Sequence, residues 1–213
     1  MSRLSQTVSA DRILQEVDEF FMKTGPVHET LRALASRLPR ENIAYAVIGG
    51  MAVALHGLVR PTQDVDLLLT REGLERFHEQ LAGRGYVPLF PGARKHFRDA
   101  ATGVKVEMVT AGEYPGDGRP KPVAFPDPQE ASVEVDGINV LVLPKLIELK
   151  LASGLSAEHR TLRDLADVQL LIETLRLPLG LGEQLDPSVR GEYARLWDIV
   201  RRAREDRVGP MEE

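Results

Sequence analysis

The sequence predicts a mixed α/β (α+β) fold followed by a helical C-terminal region. Two apolar runs, residues 43–48 and 65–69, have the length and composition of buried strands. Helical spacing of apolar residues begins at Pro144, a residue favoured in the first turn of a helix, and continues through most of the remaining chain. We therefore predict an α/β core with N-terminal helices over residues 1–143 and a helical region over residues 144–213.

Composition narrows the classes of protein to be considered. The 213 residues include no cysteine, which excludes disulfides, thiolate zinc sites and a cysteine nucleophile. The net charge of −5 means that any contact with nucleic acid must be local rather than spread over the surface. We see no secretory signal and no apolar run of about 20 residues, so we predict a cytoplasmic protein without a membrane span.

The remaining elements follow from periodicity and turn residues. Hairpins are expected to turn at Thr102-Gly103 and at Asp136-Gly137. Residues 112–128 are rich in Gly, Pro and Asp and predict a long loop of a kind that is often functional. Helices are predicted over residues 11–23, 27–38, 51–55, 71–81, 144–152, 161–175 and 187–205, and further strands over 95–98, 104–109 and 132–142.

The first candidate for chemistry is Gly49-Gly50, which separates the first predicted strand from a short run of small residues. Backbone N–H groups at the start of a helix point outward, and the helix dipole favours an anion there. Glycine lets a phosphate approach the backbone closely. This pair is therefore a candidate phosphate-binding turn.

The second candidate is Asp64-Val65-Asp66, with thirteen residues between Gly50 and Asp64. Alternate residues of a strand share a face, so Asp64 and Asp66 project together while Val65 points to the other side. Two neighbouring carboxylates suit Mg²⁺ or Mn²⁺, which prefer oxygen ligands and are commonly shared with substrate phosphates. These two residues are the predicted metal ligands.

A third carboxylate lies in the predicted strand 104–109, where Lys105, Glu107 and Val109 share one face. If this strand lies beside the Asp64 strand, Glu107 completes a triad able to hold two metal ions roughly 3.5–4 Å apart. Glu107 is also a candidate base for the proton of an acceptor hydroxyl.

A further candidate group lies on the C-terminal helices. On a helical wheel Lys150 falls near the centre of the apolar arc of residues 143–152, whereas Lys145 and Glu148 fall opposite. Lys150 either extends its ammonium group to solvent or reaches nucleotide phosphates. Asp164, just inside the next arc, either forms a capping box with Thr161 or, like Asp167, orients that lysine.

These residues together resemble the signature of the DNA polymerase beta-like nucleotidyltransferase superfamily. The order Gly49-Gly50, then Arg60-x-Thr62-x-Asp64-x-Asp66, is most similar to the branch of abortive-infection and toxin–antitoxin nucleotidyltransferases. The later stretch Lys150…Arg163-Asp164-x-x-Asp167 is similar to a stretch of the same branch, and the resemblance covers about residues 43–175. Glu107 stands where the superfamily more often has Asp.

The resemblance implies a metal-dependent enzyme that transfers an NMP from an NTP to a hydroxyl and releases pyrophosphate. It implies Asp64 and Asp66 as metal ligands, Gly49-Gly50 as the triphosphate loop, and Arg60 and Thr62 in the nucleotide site. A tRNA end, a protein hydroxyl and a small molecule all remain open as acceptor. The resemblance to this branch favours tRNA or another cellular target, with a separate antitoxin partner. Alternatives are a catalytically silent binding module and an antibiotic adenylyltransferase.

Other basic residues are weaker candidates. Arg94, Lys95, His96 and Arg98 form a cluster at a strand end, which is either a solvated surface or a site for triphosphate or RNA. Arg119 and Lys121 lie in the predicted loop and are candidates for closing over substrate. His56 and Trp197 are predicted to be structural.

Overall fold

The computed structural model describes residues 24–58 and 60–208, and the helix predicted over residues 11–23 lies outside them. Six α-helices and seven strands are present in this part of the chain. The helices are α1 Pro26–Arg40, α2 Gly49–Leu55, α3 Arg71–Gln80, α4 Leu143–Ser156, α5 Glu158–Leu175 and α6 Pro187–Val208, with a short 3₁₀ helix at Leu179–Gln184. The strands are β1 Tyr45–Ile48, β2 Asp64–Leu69, β3 Tyr86–Pro88, β4 His96–Asp99, β5 Lys105–Thr110, β6 Ser132–Val135 and β7 Ile138–Leu141.

The seven strands form one mixed sheet in the order β3-β4-β5-β2-β1-β7-β6. Strand β2 lies at the centre, antiparallel to β1 and parallel to β5. Strand β1 is also parallel to β7, and the two flanking hairpins are antiparallel. The two strands predicted to carry acidic residues, β2 and β5, are therefore neighbours.

Most predicted elements are present with shifts of a few residues at their ends. The turn at Asp136-Gly137 has positive φ at both residues, 50° and 77°, as a tight two-residue hairpin requires. Strand β3 was not predicted, because it is only three residues long, ends in Pro88 and pairs on one side only. The loop over residues 112–128 contains neither helix nor strand, as predicted.

One hydrophobic core cluster includes residues from both sides of Leu143. Val47 and Leu67 of the central strands belong to it together with Leu151, Val168 and Tyr193 of the C-terminal helices, all fully buried. The C-terminal helices thus share one core with the sheet, and α4 contacts α2. None of the helices in the described ranges is long and apolar enough to cross a membrane.

Glu148 corrects the helical-wheel prediction for α4. It was predicted to lie opposite the apolar arc, yet it is only 3% exposed. Its carboxylate accepts hydrogen bonds from Lys145 Nζ at 2.7 Å and from the backbone N–H of Asp186 at 2.6 Å. Asp186 immediately precedes α6, so Glu148 ties the two helices together. Helix α4 is buried on more than one side, so a single apolar arc does not describe it.

Candidate active site

Three carboxylates share one wall of a cavity beside the central strands. Asp64 and Asp66 alternate on β2, and Glu107 lies directly opposite Asp66 in the parallel register of β2 and β5. All three line the same cavity. His96 Nδ1 lies 3.9 Å from Glu107 Oε1, at the outer part of this wall. The structure therefore brings together the three acids that the sequence predicts as a group.

Asp64, Asp66 and Glu107, here called the acid wall, lie close enough together to affect the pKa of Asp66. Desolvation, followed by repulsion from Glu107 and then Asp64, raises the pKa of Asp66 from its ordinary 3.8 to about 6. Lys150 and the backbone N–H of Gly50 act in the opposite direction but do not balance this effect. An ionised Asp66 is therefore short of positive charge, which a divalent cation would supply.

This shift predicts that the metal-free protein loses stability as the pH rises. Because the folded protein holds the Asp66 proton more tightly than the unfolded chain, this group's contribution is complete below pH 4 and is lost by about pH 7. The loss amounts to about 2–3 kcal/mol. In EDTA, the Tm of Asp66→Asn should exceed that of the wild type increasingly from pH 4.5 to 7.5. Parallel Tm curves for the two proteins would contradict the assignment.

Gly49 and Gly50 make room for the functional side chains of β2 and its preceding loop. Gly49 has φ +64°, and a Cβ built on it would overlap the Asp66 carboxylate. A Cβ on Gly50 would lie 2.7 Å from Thr62 Oγ1. Helix α2 begins at Gly49 itself rather than at Met51. The absence of a side chain at Gly49 and Gly50 thus leaves room for Asp66 and Thr62. This steric requirement is a second reason for glycine at these two positions, besides the predicted binding of phosphate.

Gly49→Ala is expected to lower stability by at least about 3 kcal/mol and to displace the Asp66 carboxylate. Gly103→Ala is the matched control, since Gly103 has φ +78° but no atom within 4 Å of a built Cβ. That control should cost about 1–2 kcal/mol from backbone strain alone and keep activity. Chemical denaturation and turnover of both variants test the prediction, and equal losses of both quantities would refute it.

Lys150 lies at the centre of a buried ionic network. Its Nζ donates to Asp164 Oδ1 at 3.1 Å and to Asp167 Oδ2 at 2.6 Å. Arg60 donates from Nη2 to the same Asp167 oxygen at 2.8 Å. The residues Lys150, Asp164 and Asp167 are all less than 9% exposed. Two cations and two carboxylates are thus balanced at the side of the cavity that α4 and α5 form.

This network excludes one of the two alternatives that the sequence left open for Lys150 and for Asp164. Lys150 does not extend to solvent, because it is 8% exposed and bound by two carboxylates. The capping box of Asp164 with Thr161 is wrong, since α5 begins at Glu158 and Thr161 donates to the carbonyl of Gly154. Asp164 and Asp167 both orient Lys150, which lines the cavity with Arg60, Thr62 and Asp164.

Not all predicted basic residues reach the cavity. Lys95 and His96 line it, and Lys95 pairs with Glu113. Arg98 donates instead to the carbonyl of Gly103. Lys121 donates to Ser156 and pairs with Asp117, so it anchors the 112–128 loop to α4. Neither Arg94 nor Arg119 is among the lining residues.

The structure adds lining residues that the sequence did not single out as a site. His159, Arg160 and Arg163 lie at the start of α5, are exposed, and form the basic rim of the cavity. The inner lining also includes uncharged residues of α4 and of the 112–128 loop. These are Pro115, Gly116, Phe125, Leu146, Leu149 and Ser153. The cavity has a volume of about 580 Å³, within the range of small-molecule sites.

The residues of the acid wall fit a divalent metal ion shared with a substrate. Over residues 24–58 and 60–208, no group of three or more acidic or histidine side chains is arranged so that these side chains alone could hold a metal ion. Mg²⁺ usually takes only one or two protein carboxylates and completes its shell with water and phosphate oxygens. The raised pKa of Asp66 and the hard oxygen donors of Asp64 and Glu107 match that requirement.

Comparison with known proteins gives the class of this protein. The sequence model of a family of uncharacterised nucleotidyltransferases matches residues 3–182, and the chain belongs to that family. It is therefore a nucleotidyltransferase, and an NTP is the substrate consistent with this family. This agrees with the resemblance carried by Gly49-Gly50 and Asp64-x-Asp66. No curated protein matches the sequence.

Several solved structures are similar at low identity. A candidate nucleotidyltransferase from Thermotoga maritima is 20% identical, with 78% of this chain and 99% of that chain covered and a TM-score of 0.47. JHP933 from Helicobacter pylori is 15% identical, with 95% and 97% covered and a TM-score of 0.46. The antibiotic-resistance factor ANT(2″)-Ia is 15% identical, with 84% and 91% covered and a TM-score of 0.39.

Proposed function

We propose that this protein uses a divalent metal ion to transfer an NMP from an NTP to a hydroxyl of an RNA acceptor. The observation that carries the metal dependence is the acid wall of Asp64, Asp66 and Glu107, where ionisation of Asp66 is opposed by its neighbours. The family membership of the chain supplies the reaction class. Three intact acids weigh against a silent binding module.

Asp64, Asp66 and Glu107 would hold Mg²⁺ or Mn²⁺. When bound, such an ion neutralises charge on the triphosphate and lowers the pKa of an acceptor hydroxyl. Lys150 and Arg60 line the same cavity and would bind phosphate oxygens. Arg60 Nε is buried without a hydrogen-bond partner among the described residues, so one donor is left over for a ligand.

The transfer itself exchanges one phosphoester bond for another. The acceptor oxygen bonds to the α-phosphorus, and the bond from that phosphorus to the oxygen bridging to the β-phosphorus breaks. Pyrophosphate leaves with that oxygen. The proton of the acceptor hydroxyl passes to the Glu107 carboxylate, which lies beside Asp66 on the neighbouring strand.

The basic rim favours a polyanionic acceptor. His159, Arg160 and Arg163 are exposed at the cavity mouth although the whole chain carries a net charge of −5. A local cluster of this kind matches the phosphate backbone of a tRNA end better than it matches a cationic antibiotic. Between the acceptors that the sequence left open, these residues support RNA.

The acceptor is tested by incubating the protein with each α-labelled NTP, Mg²⁺ and either total tRNA or small hydroxyl compounds. Arg160→Glu with Arg163→Glu should lower labelling of tRNA at least about 10-fold and flatten its salt dependence. Arg119→Glu is the control, because Arg119 is exposed but does not line the cavity. Labelling of a small compound but not tRNA, or equal effects of the two charge reversals, would exclude the RNA acceptor.

We further propose that this enzyme acts as a toxin. It is supported by the resemblance of Arg60-x-Thr62-x-Asp64-x-Asp66 to the toxin–antitoxin branch. Expression of the wild type in growing cells should arrest growth, whereas expression of Asp66→Asn should not. An antitoxin would be a second protein that relieves this arrest. Normal growth at equal levels of active wild-type protein would exclude the role.

A further inference from the structure

Ser153 carries a buried hydroxyl that the active-site chemistry described above does not use. The residue is 5% exposed, lies one helical turn after Lys150 on α4, and lines the cavity. Its Oγ has no hydrogen-bond partner within residues 24–58 and 60–208. Helical serines commonly bond to the carbonyl four residues earlier, as Ser156 does with Ala152 at 2.7 Å. Ser153 does not, so its hydroxyl is left for a ligand.

Close packing holds the backbone of Ser153 in place. Gly116 packs so closely that a Cβ on it would lie 3.0 Å from both Cα and the carbonyl oxygen of Ser153. The 112–128 loop is fixed at its other side, because Phe125 exchanges backbone hydrogen bonds with Gly112 and Glu113 at 2.9 and 2.8 Å. The junction of this loop with α4 is thus a built part of the cavity.

The cavity therefore has two kinds of lining. The lining includes the acid wall with the cations Arg60 and Lys150, and it also includes the apolar side chains of Pro115, Phe125 and Leu149 together with the hydroxyl of Ser153. An NTP has the same division, a charged triphosphate and a flat apolar base with a polar edge. A buried site that hydrogen-bonds a substrate group discriminates strongly against substrates that lack it.

We propose that Ser153 is a specificity-determining residue that hydrogen-bonds the edge of the NTP base, which lies among Pro115, Phe125 and Leu149. The inference rests on the proposed function, because it assigns the base end of the same substrate. A hydroxyl both donates and accepts, so Ser153 contributes to base preference without itself fixing which base is preferred.

The test measures Kd for ATP, GTP, CTP, UTP and inorganic tripolyphosphate in Mg²⁺, using the full chain as wild type, Ser153→Ala and Ser36→Ala. Wild type should prefer one base. Ser153→Ala should weaken the preferred NTP by about 3–10-fold, the effect of one neutral hydrogen bond, and reduce selectivity. Its Kd for tripolyphosphate should not change. Ser36→Ala removes an exposed hydroxyl of α1 that does not line the cavity and should match wild type.

Three outcomes overturn the inference. An equal loss of affinity for tripolyphosphate would place the Ser153 hydroxyl at the phosphates. An equal loss of affinity for all four NTPs, with binding of tripolyphosphate unchanged, would place it at the ribose. Unchanged binding of every NTP would show that Ser153 contacts none of them. These outcomes differ from failure of the proposed function, in which the wild type would bind neither an NTP nor tripolyphosphate. The Tm of Ser153→Ala should not fall, because no partner is left unsatisfied.

Discussion

Asp66→Asn is expected to lower nucleotidyl transfer by at least about 10³-fold while the protein stays folded and becomes more stable at neutral pH. A metal ligand contributes several kcal/mol to stabilising the transition state, and each 1.36 kcal/mol corresponds to a factor of ten. The amide removes the charge that Glu107 and Asp64 repel in the metal-free protein. Pyrophosphate release and thermal unfolding in EDTA measure the two effects.

Asp99→Asn is the matched control for this variant. Asp99 is a buried aspartate of β4, 6% exposed, that accepts hydrogen bonds from the Thr30 hydroxyl and from the backbone of Ala101. Its replacement should lower stability and leave turnover intact. Asp66→Asn is thus expected to raise the free energy of unfolding at neutral pH, whereas Asp99→Asn should lower it. A loss of stability in Asp66→Asn at pH 7.5 would mean that the three acids do not form a repulsive cluster.

Lys150→Met is expected to cost about 3–5 kcal/mol, because it leaves Asp164 and Asp167 buried with only Arg60 to balance them. At 2–4 °C per kcal/mol, the Tm should fall by about 10 °C. Arg195→Met, which removes the exposed partner of an ion pair with Glu192, should cost less than about 1 kcal/mol. A loss for Lys150→Met as small as that of the control would contradict the buried network.

The double variant Lys150→Met with Asp164→Asn separates structure from chemistry. It restores charge balance, because Asp167 keeps its bond to Arg60. Part of the lost stability should return, while turnover should remain low if Lys150 also receives phosphate oxygens. If full turnover returned together with stability, the role of Lys150 would be structural only.

The acid wall could be predicted because it depends on local rules. Alternation along a strand places Asp64 and Asp66 on one face, and the same rule places Glu107 and Val109 together. The sequence predicts that Glu107 joins the two aspartates only if β2 and β5 are neighbouring strands. The register of Asp66 with Glu107 meets this condition. The glycines before α2 were recognised for phosphate binding, but their steric role depends on the path of Asp66 in three dimensions.

The rest of the site depends on contacts between distant segments. Arg60 and Asp167 are 107 residues apart, and no periodicity links them. Glu148 is buried because α4 packs on more than one side, including the start of α6, which a single helical wheel does not represent. Ser153 carries no sequence signal, since it becomes notable only through the missing partner and the close approach of Gly116.

The most direct test of the account compares α-labelled with γ-labelled NTP in a single transfer experiment with total tRNA. With Mg²⁺ or Mn²⁺, wild-type protein should attach the α-label covalently to the acceptor and release the γ-label as pyrophosphate. EDTA and the Asp66→Asn substitution should both abolish attachment. Attachment of the γ-label, or α-label transfer that survives EDTA and the loss of Asp66, would contradict metal-dependent nucleotidyl transfer at this acid wall.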